Sequence, residues 1–291
     1  VAIVSSACFG ANSVFVRRAS PLARARVGVL VTLILGPPMF LAVAAAFGQL
    51  GRVTEFTWLS LAALAAAGVV HFVVGRSLNY NAVSLLGASR GSIMANASVL
   101  MSVGMAVLLF NEQLTATILV GALLMVLGPI LIAQRASGQT RGKPLEKKAF
   151  RRGMMLGLAA AVCYGISPLL IKYALRQASL PLAASLVSYT AAFALLGSTL
   201  FHPTMRQELV HSPRKGLAWY AAAGIAVNLA QLFRYVALSI APVSVVAPLL
   251  QISTLFTLIL SFSMNRRMEV LDRYTVSGAL AVVVGAIILT S

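Results

Sequence analysis

Long apolar stretches separated by short polar breaks set the character of this chain of 291 residues. Windows without a charged side chain run over 1–16, 27–51, 56–75, 91–111 and 113–134, then over 153–171, 177–205, 216–233, 235–265 and 274–291. A helix that crosses a bilayer needs about 20 residues, so each window reads as one span. The fourth is expected to start upstream of its window, near Ala82, and to take in Arg90. The first lacks a small-residue cleavage site and leads straight into the second, so it reads as a span and not as a removable leader. The alternation of period two that marks membrane β-strands is absent. The pattern predicts an all-α polytopic membrane protein with ten transmembrane helices.

Composition narrows the class further. Hydrophobic residues make up 59% of the chain and charged residues 10%, against about 45–50% and about 25% in soluble domains. Six acidic residues cannot solvate the surface of a 30.5 kDa globule. A soluble enzyme, a disulfide-stapled secreted domain and a disordered chain are all excluded. The net charge of +17 does not point to nucleic acid, because the basic residues sit between apolar stretches, where they set orientation in the bilayer. Loops after even-numbered spans hold only Arg52, Lys172, Arg176 and Arg234, and Arg90 lies within a span; the other lysines and arginines follow odd-numbered spans. On that count both ends face outward and the central linker faces the cytoplasm. Cys8 and Cys163 lie in apolar stretches, and no spacing of His, Cys, Asp or Glu suits a metal. No metal, cofactor or nucleic-acid partner is expected.

The most hydrophilic segment, 134–152, divides five spans from five, giving one repeat over 1–133 and another over 153–291. Ala7-Cys8-Phe9-Gly10 is echoed by Ala161-Val162-Cys163-Tyr164-Gly165, and Glu112-Gln113-Leu114 by Glu269-Val270-Leu271. Gly121-Ala122 and Gly128 recur at one common offset as Gly278-Ala279 and Gly285. An odd number of spans per repeat inverts the second copy relative to the first, which is the architecture of an alternating-access carrier.

Polar residues inside the spans are the candidates for substrate contact. Arg90 is expected about six residues, or roughly 9 Å, inside the fourth helix. There it either attracts a carboxylate or phosphate or snorkels to the headgroups. Asn96 follows it, as cavity lining or as a helix–helix hydrogen bond. Asn228, Gln231 and Arg234 recur at helical spacing and form one polar stripe. Gln251 lies just beyond Pro248, near an expected helix break that would expose backbone carbonyls. Asn12 and Ser167 hold equivalent places in the two repeats, and Tyr164 and Tyr189 could add an aromatic wall. His71 is the histidine placed to couple protons; the alternative is a structural imidazole bonded to a backbone carbonyl. Glu112 and Glu269 stand at helix ends as caps or ion-pair partners. No acidic residue lies well inside a span, so obvious proton or sodium carriers are missing.

These features resemble the ten-helix branch of the drug/metabolite transporter superfamily, whose halves are called EamA domains. The resemblance covers nearly all of the chain. It rests on the aromatic-Gly elements at Gly10 and Gly165 and on the run from Gly75 to Gly91, where family members have a short loop feeding the fourth span. That run has its counterpart over 234–248, and acidic residues end the fourth span of each half at Glu112 and Glu269. The resemblance implies a secondary transporter in the bacterial inner membrane, exporting small polar or amphipathic metabolites such as amino acids. The buried arginines favour an anionic or zwitterionic substrate, and a homodimer is an allowed arrangement. The residues alone leave open a flippase for lipid-linked substrates and a non-transporting scaffold subunit. No nucleophile triad or phosphate-binding loop is present, so no enzyme is expected.

Overall fold

The structure, a computed structural model, describes residues 1–86, 88–139, 147–201, 203–264 and 273–290; within these, the side chains of 25, 80, 83–96, 132–139, 147, 149, 199, 201, 262, 273–275 and 290 are not described. The first half folds into α1 (Ala2–Ala19), α2 (Ala25–Ala46), α3 (Trp58–Gly68), a π-helical stretch Val69–Gly75, α4 (Arg76–Leu86), α5 (Ala88–Phe110) and α6 (Ala116–Gln139). The second half gives α7 (Lys147–Gln177), α8 (Pro181–Gly197), a short α9 (Pro203–His211), α10 (Arg214–Ile240), α11 (Val243–Leu249), α12 (Ser253–Met264) and α13 (Arg273–Thr290). Among the described residues there is no strand. The chain is a polytopic all-α membrane protein.

Among the described residues, Arg26–Ala46, Trp58–Asn79, Phe150–Gln177, Arg214–Ile240 and Val243–Ser261 are each long and apolar enough to cross a bilayer. Shorter apolar helices cover Ala97–Phe110, Ala116–Leu131, Pro181–Gly197 and Val276–Leu289. Leu108, Ile259 and Ile287 stand exposed on such helices, as side chains that face acyl tails do.

Three boundaries differ from the sequence reading. Ala82 belongs to α4, which continues α3 through the π-helical stretch, so most of the run expected as a loop is helix. Residues 76–86 contain neither glycine nor proline, and nothing stops the helix there. The seventh expected span is α8, which ends at Gly197 instead of reaching 205, and α9 follows. Charge-free windows stop at Arg234 and put it in a loop, whereas it lies inside α10, which runs on to Ile240. The chain breaks instead at Ala241-Pro242, since Pro242 has no N–H to continue the helical ladder. Lys172 Nζ donates to Leu238 O at 2.8 Å, satisfying one carbonyl of that helix end.

Glycine contacts reveal the relation between the repeats. A Cβ on Gly121 would stand 3.0 Å from Gly285 O, one on Gly285 would stand 2.9 Å from Gly121 O, and one on Gly128 would stand 2.6 Å from Gly278 O. Gly121 corresponds to Gly278 in the other half, and Gly128 to Gly285. Residue i thus touches the copy of j while j touches the copy of i, the signature of a two-fold contact. The pairing runs in opposite senses along α6 and α13, so the two copies are antiparallel. The same reciprocity appears in Ala65-Ala66-Ala67-Gly68 and its repeat Ala221-Ala222-Ala223-Gly224. Gly68 packs on the Ser188 backbone of α8, and Gly224 packs on Thr32 of α2, 3.2 Å from its Cα. Gly10 and Gly165 also share one role. The first lies against Phe256 and Thr257 of α12, and the second against Ser98 and Met101 of α5.

By packing, the chain forms two compact units, Val1–Val69 with Leu170–Ile240 and Phe256–Glu269, and Val70–Leu169 with Ala241–Leu255 and Val270–Ser291. Each draws segments from both halves of the sequence.

Two left-handed turns place side chains on the starts of other helices. Gly48, at φ 67°, ends α2, and the adjacent Gln49 Oε1 accepts from Leu182 N at 2.9 Å and Ala183 N at 3.3 Å on α8. Asn111, at φ 50°, ends α5, a conformation asparagine tolerates at a helix C-terminus. The next residue, Glu112, accepts from Val243 N at 3.0 Å and Ser244 N at 2.9 Å on α11. Each pair of otherwise orphaned N–H groups thereby gains an acceptor.

Candidate functional site: a buried cation on α10

Small residues let α10 approach its neighbours closely. Gly224 receives Thr32 and Leu35, and Ser5 Oγ donates to Ala230 O at 2.6 Å. In that close-packed helix Asn228, Gln231 and Arg234 are all buried, Arg234 to 5% exposure. Arg234 Nη1 donates to Gln231 Oε1 at 3.2 Å. Asn228 Nδ2 donates to Thr32 O at 3.2 Å, while its Oδ1 is buried with no hydrogen-bond partner.

Two tyrosines complete the surroundings. Tyr235, fully buried, sets its hydroxyl against Ser188, whose Oγ donates to Leu64 O at 2.8 Å. Tyr189 packs its ring on Phe40 with centroids 4.5 Å apart. Gly36 leaves the room for it, since a Cβ there would lie 2.8 Å from Tyr189 Cε1. The hydroxyls of Tyr235 and Tyr189 lie near the Arg234 guanidinium. Among the described residues no carboxylate pairs with Arg234, and its recorded hydrogen bond is to the neutral Gln231. A guanidinium carries five donors. This one is therefore a desolvated cation with most of its donor capacity unspent, and a buried charge left so is costly.

The repeats differ at this point. Counted from the shared Ala-Ala-Ala-Gly, Asn228, Gln231 and Arg234 fall opposite Phe72, Gly75 and Leu78. The scaffold is symmetric and the chemistry is not, so packing symmetry does not account for the stripe.

The other unit holds a second group of the expected residues. His71 sits in the π-helical stretch with its ring 4.9 Å from Tyr164 and 4.8 Å from Phe72. A Cβ on Gly75 would meet Cys163 Cβ and Tyr164 Cε1 at 3.0 Å. Ser167 is buried on α7 with its Oγ unbonded, and Ser102 Oγ donates to Gly165 O at 3.1 Å. Gln251 lies in the 3-10 turn Leu250–Ile252, directly after Pro248 in α11. Asn12 belongs instead to the unit of Arg234 and is half-buried on α1. The side chains of Arg90 and Asn96 and the whole of Glu269 lie outside the described residues.

Tyr235, Ser188 and Thr32 were missed in the sequence. A hydroxyl in an alanine-rich helix carries no signal by itself. Only tertiary packing shows that Ser188 and Thr32 are equivalent positions facing opposite third helices.

Inverted repeats of five helices, close helix packing through glycine and a charged group buried in one helix define a carrier-type membrane protein. The sequence matches the EamA-like transporter family over residues 1–134 and 151–291, and the chain belongs to that family. It is a multi-pass membrane transporter. A crystal structure of another protein superposes on 98% of this chain and 94% of its own with a TM-score of 0.77 at 15% identity, which shows a shared fold. No functionally curated protein matches the chain.

Proposed function

We propose that the chain is a secondary transporter that moves small polar or amphipathic metabolites outward across the bacterial inner membrane by alternating access. Its substrates carry an anionic group and are anionic or zwitterionic metabolites such as amino acids. One observation supports this above the rest, namely a guanidinium buried to 5% exposure with no acidic partner among the described residues. Intramembrane charges of that kind mark substrate pathways. A carboxylate would accept two parallel bonds from Arg234. Asn228 Oδ1, a buried acceptor without a donor, suits an ammonium or hydroxyl group on the same molecule. Tyr235 lies near the guanidinium, with its hydroxyl against Ser188.

The test is thermal unfolding of purified protein against L-amino acids, dicarboxylates, inorganic phosphate and lipid headgroup analogues, with wild type and Arg234→Gln side by side. A ligand at 100 times its dissociation constant stabilises a protein by about 2.7 kcal/mol. Stabilisation by an anionic or zwitterionic compound in wild type alone supports the reading. Equal stabilisation of both proteins would remove Arg234 from the site.

A further inference from the structure

We infer that one membrane edge of the unit that holds Arg234 binds the phosphate headgroup of an anionic phospholipid, with the acyl chains laid along the exposed face of α10. The edge is built from the end of α1, the starts of α2 and α10, and α9.

Packing brings the basic residues of this edge together. A Cβ on Gly216 of α10 would stand 3.1 Å from Leu22 Cβ and 3.2 Å from Ala23 Cβ, and the Tyr220 hydroxyl donates to Ala23 O at 3.0 Å. Arg214 and Lys215 therefore start α10 beside the turn that leads through Arg24 into α2. Arg18, at the end of α1, lies over Trp219 with its guanidinium carbon 4.9 Å from the ring centre, and it donates to Met264 O at 2.8 Å. Among the described residues the acid set against this group is Glu208 of α9, which Arg24 and Arg26 share. Even so, those two arginine side chains remain 71% and 52% exposed. The segment 265–272, next in sequence after Met264, carries Arg266, Arg267, Glu269 and Asp272 and so adds no net charge. Helix starts favour acidic residues, because their unpaired N–H groups carry positive charge. Both helix starts here carry basic residues instead, which sets like charge on like. An anion from outside the chain relieves that repulsion.

The adjoining surface fits a lipid and not a free phosphate. Arg214, Ala218 and Ile225 recur at helical spacing on one face of α10, and all three are exposed. From Arg214 to Ile225 is about 16 Å along the helix, about half the thickness of a bilayer's hydrocarbon core. Trp219 stands one turn beyond Lys215 with its ring 5.7 Å from Phe15, at the level where aromatic rings meet headgroups. A headgroup held at Arg214 and Lys215 thus lays its tails on apolar helix surface. A soluble anion makes no use of that surface.

Trp219 is the reporter for the test, since Trp58→Phe leaves it as the one tryptophan of the chain. Quenching of its fluorescence by bromine-labelled phosphatidylglycerol and by bromine-labelled phosphatidylcholine is titrated in mixed micelles. Three proteins are compared: Trp58→Phe alone, the same with Arg214→Gln and Lys215→Gln, and the same with Arg151→Gln and Arg152→Gln near the start of α7 as a charge-matched control. The expected result is half-quenching at a lower mole fraction of the glycerol lipid than of the choline lipid. Removing the two charges of α10 should weaken binding of the glycerol lipid by about 30-fold, while the α7 control and excess inorganic phosphate leave it unchanged. Arg214→Gln alone, with a shift of about fivefold, stands in if the paired variant does not fold. Equal quenching by the two lipids, an advantage kept without Arg214 and Lys215, or an equal loss in the α7 control overturns the inference. Displacement of the glycerol lipid by inorganic phosphate overturns it too, in favour of a site for free anions.

Discussion

The contact between α6 and α13 makes a quantitative prediction. In Gly128→Ala the new methyl would stand 2.6 Å from Gly278 O and 3.2 Å from Val282 N, where ordinary contact begins at 3.4 Å. Val282 Cγ2 also stands in the way, and turning that side chain aside would still leave the two backbone atoms in place, so the helices must part by about 0.8 Å. A gap of that size forfeits about a quarter to a half of the dispersion energy of the facing atoms. Overpacking of this type costs about 1–3 kcal/mol. Gly104→Ala is the control, because nothing lies within 4 Å of its Cβ; that change should be neutral or stabilise by up to about 1 kcal/mol through helix propensity. The assay is reversible unfolding in mixed micelles followed by fluorescence of Trp58 and Trp219. Gly121→Ala, 3.0 Å from Gly285 O, strains the same interface. Once one methyl has separated the helices the second enters more easily, so the double variant should lose less than the sum of the singles. Gly128→Ala as stable as Gly104→Ala would refute both the close approach and the antiparallel pairing derived from it.

Further outcomes follow from the helix ends and the surface. Glu112→Ala removes the acceptor for two N–H groups of α11 and should cost about 0.5–2 kcal/mol, measured by the same unfolding assay; no loss would mean that water serves those groups equally well. Thr57→Ala removes the oxygen that accepts from Ser60 N at 3.2 Å at the start of α3 and should cost about 1 kcal/mol, with hydrogen exchange rising first at residues 58–61. At the surface, the hydrogen bond from Arg52 holds the Glu55 carboxyl below its ordinary range. Its contribution is present above the ordinary carboxylate pKa and fades as pH falls through the lowered one. Glu55→Gln should remove that part of the acid dependence, and an identical acid limb in both proteins would show the pair contributes nothing.

The glycines show how much of the fold could be read from the sequence. Gly121, Gly128, Gly278 and Gly285 betray the repeat by spacing alone, because a backbone contact across a two-fold axis demands small residues at fixed places in both copies. Gly68 and Gly224, which obey the same rule, were hidden in alanine-rich stretches where small residues are common. Charge-free windows located the spans but misplaced α10, since the method treats every charge as a boundary and Arg234 is a charge inside a helix. The spacing of Asn228, Gln231 and Arg234 was legible because helical period needs no tertiary knowledge. Their burial, and the support of Tyr235 by Ser188, were not, because both depend on which helices Gly36, Gly68 and Gly224 admit.

The most direct measurement is uptake into proteoliposomes of whichever compound stabilises the purified protein, compared between wild type, Arg234→Lys and Arg234→Gln at equal reconstituted amounts. The account predicts saturable uptake in wild type, weaker apparent affinity in Arg234→Lys, where the charge is kept but the two-pronged contact is lost, and no uptake above empty vesicles in a folded Arg234→Gln. Undiminished, saturable uptake by Arg234→Gln would contradict it.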